Sequence, residues 1–207
     1  MAVTIFSVVL IVVVVTFQAG QCFPPWGTVY TRWGRTTCPA TATLIYSGYA
    51  AGSHYKHPGG AVEPLCLPTN PEWGIHNTVQ DNARGLVYGA EYEAYKDIVM
   101  SDIHDHDVPC AVCSTQNDKP VLVIPARKSC YAGWKVEYWG YLMSGKFEHV
   151  SASTFTCMDA QPETLPGGPG NANGYLFYPV ETRCGSLTCP PYRNGSELLC
   201  VVCSENC

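Results

Sequence analysis

The chain has 207 residues, of which 14 % are charged, and its formal net charge is −5. It carries no basic stripe, which removes the electrostatic basis for nucleic-acid binding. It also lacks a polybasic or amphipathic segment that would hold a membrane surface. Aromatic residues make up 12 %, with thirteen Tyr and five Trp, too many for a disordered chain.

The first charged side chain is Arg32. Ahead of it, Ile5 to Phe17 form an uncharged core of thirteen residues. A spanning helix needs roughly 20 apolar residues. The run therefore reads as the apolar centre of a secretory signal peptide over residues 1–22, cut between Cys22 and Phe23, although its basic n-region is missing. A short uncleaved anchor is the alternative. About 185 residues would then remain, enough for one large domain or two small ones.

The rest of the chain is written twice. Cys38 is followed by Tyr46-Ser47-Gly48-Tyr49, and Cys130 by Tyr138-Trp139-Gly140-Tyr141 at the same offsets. His57 and His149 lie equally far from those cysteines, and Cys66 and Cys157 lead in step into Pro71-Glu72 and Pro162-Glu163. Each copy closes with C-x-x-C, at Cys110–Cys113 and Cys200–Cys203. Copy A covers 27–118 and copy B 119–207, abutting over Ser114 to Lys119 as packed subdomains. The repeated residues are cysteines, aromatics, Gly and Pro, so the repeated feature is a covalent and packing framework.

In chain order, Thr28–Trp33, Thr43–Tyr46 and Leu86–Tyr88 read as strands in the first copy. Val121–Ile124, Lys135–Trp139 and Tyr175–Tyr178 do so in the second. Ala90 to Val99 has a helical look. Sixteen Pro and nineteen Gly punctuate the remainder. Leu165 to Gly170 holds no Gly-X-Y register, so it is a surface loop and not a collagen triple helix. The fold class expected is mainly β with long loops.

Twelve cysteines behind a signal peptide read as disulfides. A zinc site built from the two C-x-x-C pairs is set aside, since Cys113 and Cys200 lie too far apart for a zinc ribbon. Within Asp102 to Asp107, His104 and His106 share one face of an extended segment and are the candidate metal ligands. A solvated loop is the stronger reading there, because no third ligand can be placed. No G-x-S-x-G or H-E-x-x-H occurs, and no catalytic constellation emerges. No cofactor is expected. Asn194-Gly195-Ser196 is the one glycosylation sequon. Tyr46, Tyr49, Tyr138 and Tyr141 recur and are assigned to the core. Trp33, Trp73, Trp134 and Trp139 could line a protein or sugar surface, with Trp73 the one to test. Glu72 and Glu163 read as turn residues, and His57 and His149 as structural.

Several runs carry a resemblance: Tyr30 to Pro39, Tyr46 to Tyr55, Val108 to Cys113, Gly140 to Met143 and Cys184 to Cys189. Together they resemble the short-chain, spongin-related collagens of invertebrates. That family is similar in turn to the C-terminal non-collagenous domain of type IV collagen. The resemblance implies a mainly β tandem duplication related to the C-type lectin-like class, with strands exchanged between subdomains. It also implies the pairs Cys38–Cys113, Cys66–Cys110, Cys130–Cys203 and Cys157–Cys200, and a loop disulfide Cys184–Cys189 without counterpart in copy A. Cys22 and Cys207 are left over. Cys207 is a candidate for an intermolecular bond, or for a bond to Cys22 if cleavage falls earlier.

The function this implies is a secreted extracellular-matrix structural protein, not an enzyme. It would self-associate as a homo-oligomer, with a trimer as the candidate number and other matrix proteins as candidate partners. It would have no membrane attachment after signal cleavage. The alternative is a soluble, lectin-like recognition protein on the same scaffold.

Overall fold

The computed structural model describes residues 27–74, 84–94, 100–116, 119–168 and 170–206. The expected signal peptide, Cys22 and Cys207 lie outside the described residues. Ten strands run β1 (Val29–Trp33), β2 (Ala42–Gly52), β3 (Leu65–Pro68), β4 (Tyr88–Tyr92), β5 (Pro109–Thr115), β6 (Val121–Pro125), β7 (Trp134–Ser144), β8 (Thr156–Asp159), β9 (Tyr175–Pro179) and β10 (Leu199–Glu205). A 3-10 turn at Ser101–Ile103 is the one helical element among the described residues. The fold is mainly β. Ala90 to Tyr92 belong to β4 and not to a helix, and 95–99 lie outside the described residues.

Strand lengths are 5, 11, 4, 5 and 7 residues in the first half and the same again in the second. In each half the long strand pairs antiparallel with the last, with one register shift along the pair. In each half, too, the first strand lies on the other side of the last. Between the halves, β8 pairs parallel with β1 through Met158 and Trp33, and β4 pairs parallel with β9. Because β9 also pairs with β7, seven strands close into a barrel in the order β7-β8-β1-β5-β2-β4-β9. β6 extends from β10, and β3 from β2.

Both core clusters draw on both halves. One joins Ala50, Tyr92 and Val108 to Met143, Met158 and Phe177. The other joins Tyr30 and Cys113 to Tyr138, Leu142 and Val202. Five disulfides tie the strands: Cys38–Cys113, Cys66–Cys110, Cys130–Cys203, Cys157–Cys200 and Cys184–Cys189. These are the pairs that the resemblance implies. Each of the five lies within one half, so among the described residues no disulfide crosses the joint between halves.

The repeated Gly of the Tyr-x-Gly-Tyr motif has a steric reason. A Cβ on Gly48 would lie 1.8 Å from the Leu67 carbonyl oxygen of β3, and one on Gly140 1.6 Å from that of Met158 in β8. In each half the short strand crosses directly over the glycine, where no side chain fits.

Candidate assembly surface

The joint between halves rests on polar groups that cross it. Arg32 on β1 meets Asp159 of β8 at 2.7 Å, with both side chains largely buried. Its Nε donates a second bond to Asp159 at 2.8 Å, and its Nη1 donates to the Thr37 carbonyl at 2.9 Å. The buried Glu137 of β7 accepts from the Tyr30, Thr41 and Ser204 hydroxyls. Burial, and then the Glu137 carboxylate, push the Tyr30 phenol far above its ordinary range, so Tyr30 remains a donor.

Glu163 clamps the turn after β1. It accepts from the Thr36 N–H at 2.9 Å and hydroxyl at 2.7 Å, and pairs with Arg35 at 3.1 Å. Burial alone would raise its carboxyl, but the Thr36 bonds and Arg35 together hold it below the usual carboxylate value. The repeat made Glu72 and Glu163 look equivalent. Glu72 is instead exposed, so a partner across the joint, invisible in sequence, distinguishes them.

An imidazole–aromatic array crosses the same joint. His54 packs on Tyr55, His57 and Tyr88, and Tyr55 packs on His149, which meets Tyr178. His57 and His149 therefore act through ring packing.

Beyond the joint, two strands have one neighbour each among the described residues: β3 on β2 and β6 on β10. Both carry exposed apolar side chains. Leu67 is 37 % exposed on β3 and Val123 50 % on β6, beside Leu65 and Leu122. A groove of about 350 Å³ adjoins β6, lined by Val123, Trp33, Tyr138 and Phe155. A second, of about 620 Å³, adjoins β3 and is lined by Leu65, Ala61 and Val87. Phe155 stands 70 % exposed at the first groove.

The aromatics divide. Tyr138 is buried and Tyr141 packs on the core, but Tyr49 lies on the exposed face of β2, a correction to its core assignment. Trp33 is partly buried against the core, Trp139 faces solvent, and Trp73 is 86 % exposed. Asn194 is exposed as a sequon should be, and its Oδ1 accepts from the Cys184 N–H at 3.1 Å.

The two candidate metal ligands separate. His104 lies 3.5 Å from both Glu93 and Asp105. The His106 ring instead turns its Nδ1 to the His104 carbonyl at 3.0 Å. Glu93, on the segment after β4, lies beside His104 in this cluster. Among the described residues, no helix is long and apolar enough to cross a membrane. No protein-family model matches the chain.

Proposed function

We propose that this chain is a secreted structural protein of the extracellular matrix that works by associating with copies of itself. Its module would be akin to the non-collagenous domain of type IV collagen, without a triple helix of its own. One observation carries the reading: the two open edges are the two strands that pseudo-symmetry leaves unmatched. Within the chain, the first strand of the first half (β1) pairs with the third strand of the second (β8). The reciprocal pair, β3 with β6, is not made within the chain, and each of those strands ends the sheet with exposed leucine or valine.

Long apolar edges attract a further strand unless they are blunted. If β3 of one copy pairs with β6 of the next, the contact is head-to-tail, and such contacts close into rings when the rotation allows. A three-copy ring would set six similar halves around one axis. The matching strand lengths of the halves support reading them as a tandem duplication. The five disulfides suit an oxidising compartment, where such a ring would persist.

The test is solution mass by light scattering during gel filtration, for the wild type and for Val123→Lys and Leu67→Lys. A closed oligomer that each edge charge converts to monomer supports the reading. A wild-type monomer at all concentrations sinks it.

A lectin-like recognition protein is the second reading. It is favoured by a cleft of about 560 Å³ lined by Tyr131, Tyr192, Arg127 and Arg193. A glycan screen in which binding is lost in Tyr192→Ala would establish it.

A further inference from the structure

The end of β4 and the loop before β5 match the residues after β9 and the loop before β10. Val108 N–H donates to the Ala90 carbonyl, Tyr92 to His106 and Asp105 to Tyr92. In the second half Leu198 donates to Val180, Thr182 to Ser196 and Gly195 to Thr182. Glu91 bridges Asp107 as Glu181 bridges Glu197. Even the left-handed residue recurs, Asp105 at φ 61° and Gly195 at φ 74°. By this correspondence Glu93, His104 and Asp105 stand where the second half has Arg183, Asn194 and Gly195.

The exchange inverts the charge. In the second half, Arg183 pairs with the exposed Glu181 at 2.9 Å. In the first half the equivalent position is another acid, Glu93. Asp107 and Asp105 act on Glu91, while His104, Asp105 and Glu91 act on Glu93, which also accepts a hydrogen bond from Tyr178. Glu91 is only 2 % exposed, and its Oε2 accepts no hydrogen bond although Oε1 accepts from the Ala172 and Asn173 N–H groups. Glu91, near the end of β4, and Glu93, just past it, both feel the Asp105 carboxylate. The Asp105 Oδ1 is likewise buried without a hydrogen bond. Asp105 also keeps a carboxylate at a left-handed position where the other half uses glycine.

We propose that Glu93, His104 and Asp105 bind one divalent transition-metal ion of the zinc or manganese class, with Glu91 as the adjoining carboxylate, in place of the arginine of the other half. One donor atom from each of the three lies within 4.8 Å of the other two. In a zinc shell with ligand bonds of about 2.0–2.2 Å, tetrahedral donors sit roughly 3.3–3.6 Å apart. The His104 Nδ1 contact to Glu93 at 3.5 Å matches that spacing, while Asp105 lies 3.5 Å from the other ring nitrogen, Nε2, and would swing toward the Nδ1 side. One ring nitrogen would take the ion, and small rotations of the carboxylates complete the shell. An imidazole among carboxylates selects zinc or manganese over calcium, which prefers oxygen throughout. Glu93 N–H donates to the Phe177 carbonyl, so the bound ion would also brace the parallel pairing of the two halves. The inference is independent of the assembly reading.

The test is calorimetry on the intact oxidised chain, stripped with chelator and titrated with ZnCl2, with MnCl2 and CaCl2 in parallel. One zinc per chain, a higher melting temperature, and an affinity weakened about tenfold or more in both Glu93→Gln and His104→Ala are expected. Cobalt substitution should give visible d–d absorption that both variants lose. His149→Ala serves as the control for the other imidazoles and should bind normally. Should His104→Ala fold poorly in chelator, Glu93→Gln, which keeps shape and removes charge, decides alone. No zinc or manganese binding up to about 1 mM, an affinity that cannot hold an ordinary metal site, would overturn the proposal. So would zinc binding unchanged in both variants, or calcium binding that ignores His104.

Discussion

Gly140→Ala tests how closely β8 crosses β7. The added methyl would begin 1.6 Å from the Met158 carbonyl oxygen, 2.7 Å from its carbon and 2.8 Å from the Ala160 nitrogen. All three are backbone atoms, so no rotamer relieves the clash, and β8 must retreat by more than an ångström. It is held on every side. Four residues of β8 pair with β7, Met158 pairs with Trp33, Cys157 is bonded to Cys200, and Asp159 holds Arg32. Overpacking against side chains costs typically about 1–3 kcal/mol, and a backbone obstacle belongs at or beyond the top of that range. A loss of about 3–5 kcal/mol is expected. At a urea slope of about 2 kcal/mol per molar, the unfolding midpoint falls by roughly 2 M. The assay is urea unfolding with disulfides intact, followed by circular dichroism. Gly59→Ala is the control, because its methyl meets open space, and should move stability by no more than about 0.5 kcal/mol. A Gly140→Ala variant within about 1 kcal/mol of wild type would refute the close crossing of β8 over β7.

Gly48→Ala meets the Leu67 carbonyl at 1.8 Å, but β3 has one strand neighbour and can yield, so its loss should be the smaller of the two in the same assay. The depressed Glu163 carboxyl contributes stability that is present above its ordinary value near 4.5 and lost as pH falls through its lower folded value. Glu163→Gln should therefore lower stability at neutral pH and flatten that acid limb in pH-dependent unfolding. Burial lowers the His149 imidazole below its ordinary 6.5. The unfolded chain thus takes the proton first, and stability declines as pH drops below about 6.5. Phe in place of His149 keeps the ring stack and should reduce that decline in thermal melts at pH 5–7. Removing Cys66–Cys110 by a double Ala substitution opens a loop of sequence separation 44 and should cost about 4 kcal/mol on the chain-entropy estimate. A calorimetric loss under about 1 kcal/mol would show that the enclosing Cys38–Cys113 bond already restricts the same chain.

How much of this was legible depends on whether a feature is local. The strands at Val29–Trp33, Val121–Pro125 and Tyr175–Pro179 follow from β-branched and aromatic runs, which the sequence displays directly. The C-x-x-C segments hide β5 and β10. Cysteines there mark covalent bonds, and only the register shows that both are central strands buried on both faces. Ala90 to Tyr92 looked helical from Ala, Glu and Tyr content, but parallel pairing with β9 overrides local propensity. The recurring Gly48 and Gly140 were visible, whereas their reason, a crossing carbonyl, was not. The metal candidates show the limit most clearly. His104 and His106 share a face on paper, yet a left-handed Asp105 between them turns them apart. Glu93, which His104 meets instead, could be placed only through the strand pairing that brings β4 beside the loop.

The proposed assembly requires β3 and β6 to be complementary edges. The most direct measurement is the solution mass of the oxidised chain by light scattering across a wide concentration range, with Val123→Lys alongside. The account predicts a discrete ring, three copies being the natural closure, and a folded monomer for the variant. A wild-type chain that stays monomeric at every concentration, or a variant that assembles unchanged, would contradict it.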